Sequence, residues 1–207
     1  MSALRLPEQG PAVRLVLVRH TEPIEKARGR CYGSSDVGLS PAGQEHASEI
    51  ALQLADLSVA TVFSSPRRRA LDTAAPIAAV HDLPVEVLPG VRELDFGEIE
   101  GRTYEEIERD RPDLWRRWMS EPTAVRFPGG EGYGDLRRRV VAATDRLRTG
   151  HGGKTCVVVA HGGVIRAVLS ATLGLPDEDI FRFDQSYGGI TVIDWFDETP
   201  VIRLANG

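Results

Sequence analysis

"RLVLVRHTEP", residues 14–23, runs a strand-forming segment into an arginine, a histidine and a proline. Arg14 to Val18 is aliphatic and β-branched. It is too short for a membrane span and suits a strand buried on both faces. Arg19 and His20 sit where that strand runs out, and Pro23 follows. In open α/β sheets ligands bind outside the carboxyl ends of the strands. An Arg-His pair there, taken alone, is as well explained by the return of the chain to solvent.

The surrounding segments supply the context. "TCVVVA", 155–160, is a second doubly buried run, and it ends at His161-Gly162-Gly163. "VATVF", 59–63, and "VEVL", 85–88, read as further strands, and "GITVIDWF", 189–196, as a late one. Between them lie helical patterns. Ser40-Pro41 reads as an N-cap with proline in the first turn, followed by Ala47, Ile50, Ala51 and Leu54 at helical spacing. Ser65-Pro66 predicts a second helix start, with Ala70, Thr73, Ala74 and Ile77 on one face. Thr103 and Glu106 have capping-box spacing. A helix after Pro112 carries Trp115 and Trp118, and Leu136, Val140, Ala143 and Leu147 stripe a long one. The alternation predicts an α/β fold in three layers, α/β/α, around a mostly parallel central sheet. Residues 92–133 are rich in charge, Trp, Gly and Pro and hold little strand signal. They read as a small cap insertion in a single domain spanning 1–207.

Bulk properties narrow the function. The 207 residues are 42% hydrophobic, enough for one sizeable core. A net charge of −5 gives no support to a nucleic-acid surface. Nearly all cations are arginines, Lys26 and Lys154 excepted. Two cysteines, Cys31 and Cys156, make no disulfide framework. "MSALRLPEQGPAV" has no apolar leader core, and no stretch approaches the roughly 20 apolar residues of a span. The expectation is a soluble, cytoplasmic protein without membrane partners. Oligomeric state stays open between monomer and homodimer, because "GITVIDWF" suits an edge strand pairing with a second chain or one covered within its own.

In a parallel sheet His20 and His161 lie on one edge. "VATVF" runs into Ser64-Ser65-Pro66-Arg67-Arg68-Arg69, and "VLPGV" into Arg92-Glu93. Converging, these segments offer two imidazoles, arginines and a carboxylate. That set suits a phosphoryl group: arginine forks for the oxygens, an imidazole nucleophile, an acid for the leaving group. Each residue alone has a plainer reading as surface charge; their joint placement after core segments favours function. No spacing typical of metal ligands accompanies them.

The same blocks resemble the histidine phosphatase superfamily, with its phosphoglycerate-mutase-like fold. Arg19-His20 matches the family's opening signature. "GRCYGSSDVGLSPAGQEHA", 29–47, is similar to its Gly-Arg, Gly-x-x-Asp, Leu-Ser-x-x-Gly block, and "SSPRRRALDTA", 64–74, to its Ser-Ser-Pro-x-x-Arg-Ala block. "RELDFGEIEG", 92–101, and "VVVAHGGVIR" complete the order. The resemblance implies His20 as nucleophile, Glu93 as acid and base, and Arg19, Arg69 and His161 as oxygen ligands. Thr21, Arg30 and Gly162 become candidate substrate contacts, with no cofactor and no metal. The register selects Arg69 from the arginine triplet. Thr21 stands where glycine is common, and Lys26 where an Asn phosphate contact is common; the Thr21 hydroxyl and N–H are expected to compensate. The compact stretch after Glu93 resembles the phosphatase branch, and "RHT" with "CYGSSDV" resembles α-ribazole-phosphate phosphatases. The implied activity is hydrolysis of a small phosphorylated metabolite. A cofactor-dependent phosphoglycerate mutase and a non-catalytic phosphate-binding module are the alternatives.

Overall fold

The computed structural model describes residues 12–197 and 199–207. Most of "MSALRLPEQGPAV", the stretch read as having no apolar leader core, lies outside the described residues. Six strands form one sheet in the order β3-β2-β4-β1-β5-β6: β1 (Val13–Arg19), β2 (Val59–Ser64), β3 (Val85–Val87), β4 (Lys154–Ala160), β5 (Ile190–Phe196) and β6 (Thr199–Leu204). β1 to β4 run parallel, while β5 is antiparallel to both β1 and β6. The sheet is therefore mixed, with a parallel majority.

Alternation along the strands explains the layers. Leu15 and Leu17 of β1, with Cys156 and Val158 of β4, pack with Leu136, Val140, Ile165 and Leu169. These come from α5 (Tyr133–Gly150) and α6 (Gly162–Leu173). Val16, Val18, Val157 and Val159 point to the opposite face. They meet Ile50, Leu54, Ala74 and Ile77 of α1 (Pro41–Leu54) and α2 (Arg68–Ala79). Both faces of β1 and β4 are thus dry, as their unbroken apolar runs require. Full burial of each such Val or Leu stabilises by about 1.5–3 kcal/mol.

Local signals held where the chemistry is local. Ser40 Oγ accepts the Gly43 N–H as the α1 cap, and Thr103 and Glu106 close a reciprocal capping box on α3 (Tyr104–Asp110). α4 (Pro112–Ser120) follows. Phe96, Trp115 and Trp118 pack on a small separate core of Cys31, Ile99, Ile107, Val125 and Phe127 beneath these helices. One expectation shifts. α2 begins at Arg68 rather than directly after Ser65-Pro66, and Arg67 in the cap position makes no side-chain cap. Of the two arrangements left open for β5, the one covered within its own chain holds: β6 pairs with it across a turn at Asp197, whose φ is 54°.

The β1–β5 pair also buries a charge. Arg14 faces Asp194 in register and grips it through Nε at 2.6 Å and a terminal nitrogen at 2.8 Å. Arg203 of β6 adds a third donor to the fully buried carboxylate at 3.0 Å. Among the described residues no helix is long and apolar enough to cross a membrane, and no group of three or more His, Cys, Asp or Glu is placed to hold a metal ion.

Candidate active site

The carboxyl edge of the sheet brings the singled-out residues together. Arg19 pairs with Ala160 in register, so His20 and His161 leave adjacent strands side by side, ring centroids 5.2 Å apart. A cavity of about 260 Å³ opens there. Arg19, His20, Arg30, Arg69, Glu93 and Gly162 line it. His161 sits behind His20, fully buried.

The His20 ring has one defined tautomer. Nδ1 lies 2.8 Å from the Thr21 carbonyl, which can only accept, so Nδ1 carries the proton and Nε2 keeps its lone pair. Burial, and then the Arg69 charge, hold the His20 pKa well below the ordinary histidine value. The imidazole is therefore neutral near pH 7, the form in which a histidine can act as a nucleophile. His161 is depressed in the same way, by burial first and Arg69 next.

Arg69 is the one fully buried arginine among the described residues, held by the Ser35 carbonyl at 2.8 Å and the Gly33 carbonyl at 2.9 Å. Burial lowers its pKa. Its neighbour Arg68 is exposed and pairs with Asp72, as a 3.6-residue turn dictates for adjacent positions. Arg19 donates to the Gln185 carbonyl and stacks 4.2 Å over the Tyr187 ring. After these bonds, Arg19 Nε, Arg69 Nε and His161 Nδ1 are buried with no partner. Buried polar atoms without partners are rare and call for an explanation. A tetrahedral anion beside His20 Nε2 would supply one.

Among the described residues, Glu93 supplies the single carboxylate on the cavity wall. Its oxygens accept the Leu94 N–H at 2.9 Å and the Gly163 N–H at 3.1 Å. Arg30 is at the same cavity, its guanidinium donating to the Gly101 carbonyl at 2.7 Å. Thr21 departs from expectation. Its hydroxyl donates to the Gly43 carbonyl at 2.8 Å and its N–H to Thr73 Oγ1 at 3.1 Å. Neither group faces the cavity, because both tie the β1 loop to the helices. Thr21 is thus a frame residue, and its carbonyl orients His20.

Sequence reasoning missed several participants. Ser65 Oγ lies 2.7 Å from His161 Nε2 and orients that ring. Serine before Pro66 reads as a helix cap, which masks this use. Tyr32 and Tyr187 share a 2.7 Å hydroxyl contact beside His20, ring centroids 6.3 and 5.6 Å from the imidazole. Glu100 accepts the N–H groups of Ser34, Ser35 and Phe96, lacing the first loop to the loop that carries Glu93. Gly33 is there because a Cβ would stand 1.6 Å from the Leu94 carbonyl oxygen.

The arrangement can bind a phosphoryl group, attack it with an imidazole and exchange a proton with its ester oxygen. Proteins similar to this chain include phosphatases. A Hydrogenobacter thermophilus phosphoserine phosphatase 1 is 33% identical over 194 residues, 94% of this chain and 92% of that one. A Mycobacterium tuberculosis bifunctional protein is 33% identical over 200 residues; the match takes in 96% of this chain but only 55% of that protein's length. The α-ribazole phosphatase of Shigella flexneri superposes with a TM-score of 0.86 at 27% identity, covering 94% of this chain and 96% of the other. The sequence model of the histidine phosphatase superfamily, branch 1, matches residues 15–207, nearly everything from the first strand onward, and the chain belongs to that superfamily.

Proposed function

We propose that the protein is a metal-independent phosphomonoester hydrolase working through a phosphohistidine on His20. The observation that carries this reading is the set of unpaired buried donors on Arg19, Arg69 and His161 around a neutral imidazole whose Nε2 is free. His20 Nε2 attacks phosphorus in line, and the phosphorus–oxygen ester bond breaks. The departing oxygen takes its proton from the Glu93 carboxyl group. The Glu93 carboxylate then removes a proton from water as that water attacks the phosphohistidine. Phosphate leaves, and His20 and protonated Glu93 return. The arginines meet the charge that develops on the oxygens, as preorganised donors do.

The substrate is a small phosphorylated metabolite, with residues 92–133 acting as a cap over it. Tyr104, Trp118, Phe96 and Phe181 give the cavity flat apolar walls. These suit a leaving group with a ring, and α-ribazole 5′-phosphate is the candidate consistent with the Shigella flexneri likeness. Arg30 and the Gly162 N–H are contacts open to such a substrate.

The test is a panel of phosphomonoesters including α-ribazole phosphate, phosphoserine and the phosphoglycerates, assayed with excess chelator. Phosphate release that survives chelation is expected, with acid-labile, alkali-stable label trapped on His20. Label on His161, or activity restored only by Mg²⁺, refutes the scheme. Rapid isomerisation of 3-phosphoglycerate with negligible phosphate release would make the protein a mutase instead.

A further inference from the structure

We propose that Arg139 of α5 is the positioning residue of the Glu93 acid; this rests on the reading of Glu93 as proton donor. Arg139 lies outside the cavity, and its side chain is 14% exposed. A guanidinium has five N–H donors in a rigid plane. Here all five are committed. Nε donates to Glu131 Oε1 at 3.1 Å, and one terminal nitrogen to Glu131 Oε2 at 2.8 Å. That same nitrogen reaches the Glu93 carbonyl at 3.0 Å. The other donates to the carbonyls of Gly90 at 3.0 Å and Arg92 at 2.5 Å.

Three carbonyls within four residues are thus pinned by one side chain. Glu131 extends the clamp, accepting from Arg92 at 2.5 Å and from the Asp95 N–H at 3.2 Å. Close packing leaves the loop no slack: a Cβ on Gly90 would stand 2.7 Å from Ala143 Cβ on the same helix. Val91 is anchored in the core and the Asp95 carbonyl accepts the Glu131 N–H, but between them no regular strand or helix fixes Arg92 and Glu93. The clamp couples α5 to the exact place where the carboxyl group of Glu93 enters the cavity. Lysine cannot replace it, since three tetrahedral donors do not fit a planar fork and two carbonyls at once.

The readout is leaving-group dependence. Turnover of an alkyl phosphate needs a proton for its alkoxide; phosphorylation by an aryl phosphate scarcely does. Arg139→Lys is expected to cut alkyl phosphate turnover by about 10²-fold, the loss that a 1 Å misplacement can cause. The pre-steady-state burst with an aryl phosphate should fall less than about tenfold. In a Glu93→Gln background the same change should add almost nothing to the alkyl loss, because a misplaced acid and a missing one are equivalent. If Arg139→Lys does not fold, Glu131→Gln carries the test, with the same split expected at smaller size. An equal fall for both ester classes, or a loss that multiplies with Glu93→Gln, overturns the positioning role while leaving the acid reading intact. If Glu93→Gln itself shows no leaving-group dependence, both fall.

Discussion

Replacing Gly163 by alanine should damage catalysis while sparing the fold. An added Cβ would stand 2.5 Å from Glu93 Oε1 and 3.4 Å from Oε2. That is roughly 1 Å short of a comfortable non-bonded contact. The obstructing atom is the tip of a flexible side chain, so Glu93 moves and the backbone does not. Gly163 lies inside α6 and has no positive φ, so alanine fits its conformation. Alanine in a helix is favoured over glycine by about 0.5–1 kcal/mol. The carboxylate would lose its 3.1 Å bond to the Gly163 N–H and its aim into the cavity. A displacement of about 1 Å predicts a loss near 10²-fold, or about 2.7 kcal/mol in the barrier. It falls within the 10²–10⁴ that acid–base help is typically worth, so roughly complete loss of the acid is the ceiling. The assay is steady-state turnover of glycerol phosphate beside an aryl phosphate, with thermal melting as control. Unchanged turnover of the alkyl ester would refute the placement of the acid. A large drop in melting temperature would refute the argument that the side chain, not the backbone, absorbs the clash.

Three further outcomes follow from the same geometry. Arg69→Ala should cut turnover by about 10²–10³-fold, whereas Arg68→Ala, which removes only an exposed pair with Asp72, should leave turnover unchanged and stability within about 0.5 kcal/mol. His20 and His161 are held neutral, below the ordinary value of 6.5, so the unfolded chain binds more protons than the folded one as pH falls below that value. Stability is therefore fully present above pH 6.5 and is lost on acidification, by up to about 1.4 kcal/mol per pH unit for each histidine. Denaturant titrations from pH 7.5 to 5.5 check this: His161→Gln should show a shallower decline, and an identical slope would contradict it. Asp194→Ala, which strands Arg14 in a buried position, should cost about 3–5 kcal/mol by denaturant titration.

Signals carried by neighbours a few residues apart were legible without a structure. The buried runs of β1 and β4, the α1 cap, the capping box on α3 and the stripe of α5 depend on side-chain period and local hydrogen bonds. From these followed the α/β class and the edge where His20, His161, the Arg67–Arg69 triplet and Glu93 would meet. The resemblance also made Thr21 a candidate substrate contact, since a sequence does not show where its hydroxyl and N–H are already spent. Only the tertiary structure shows both already spent on Gly43 and Thr73. The same holds for Ser65 behind His161, for β6 closing the sheet and for Arg139 beneath the acid loop. Each of those pairings joins residues far apart in the chain, where periodicity carries no information. What decides them is the demand that every buried donor and acceptor find a partner in the packed molecule.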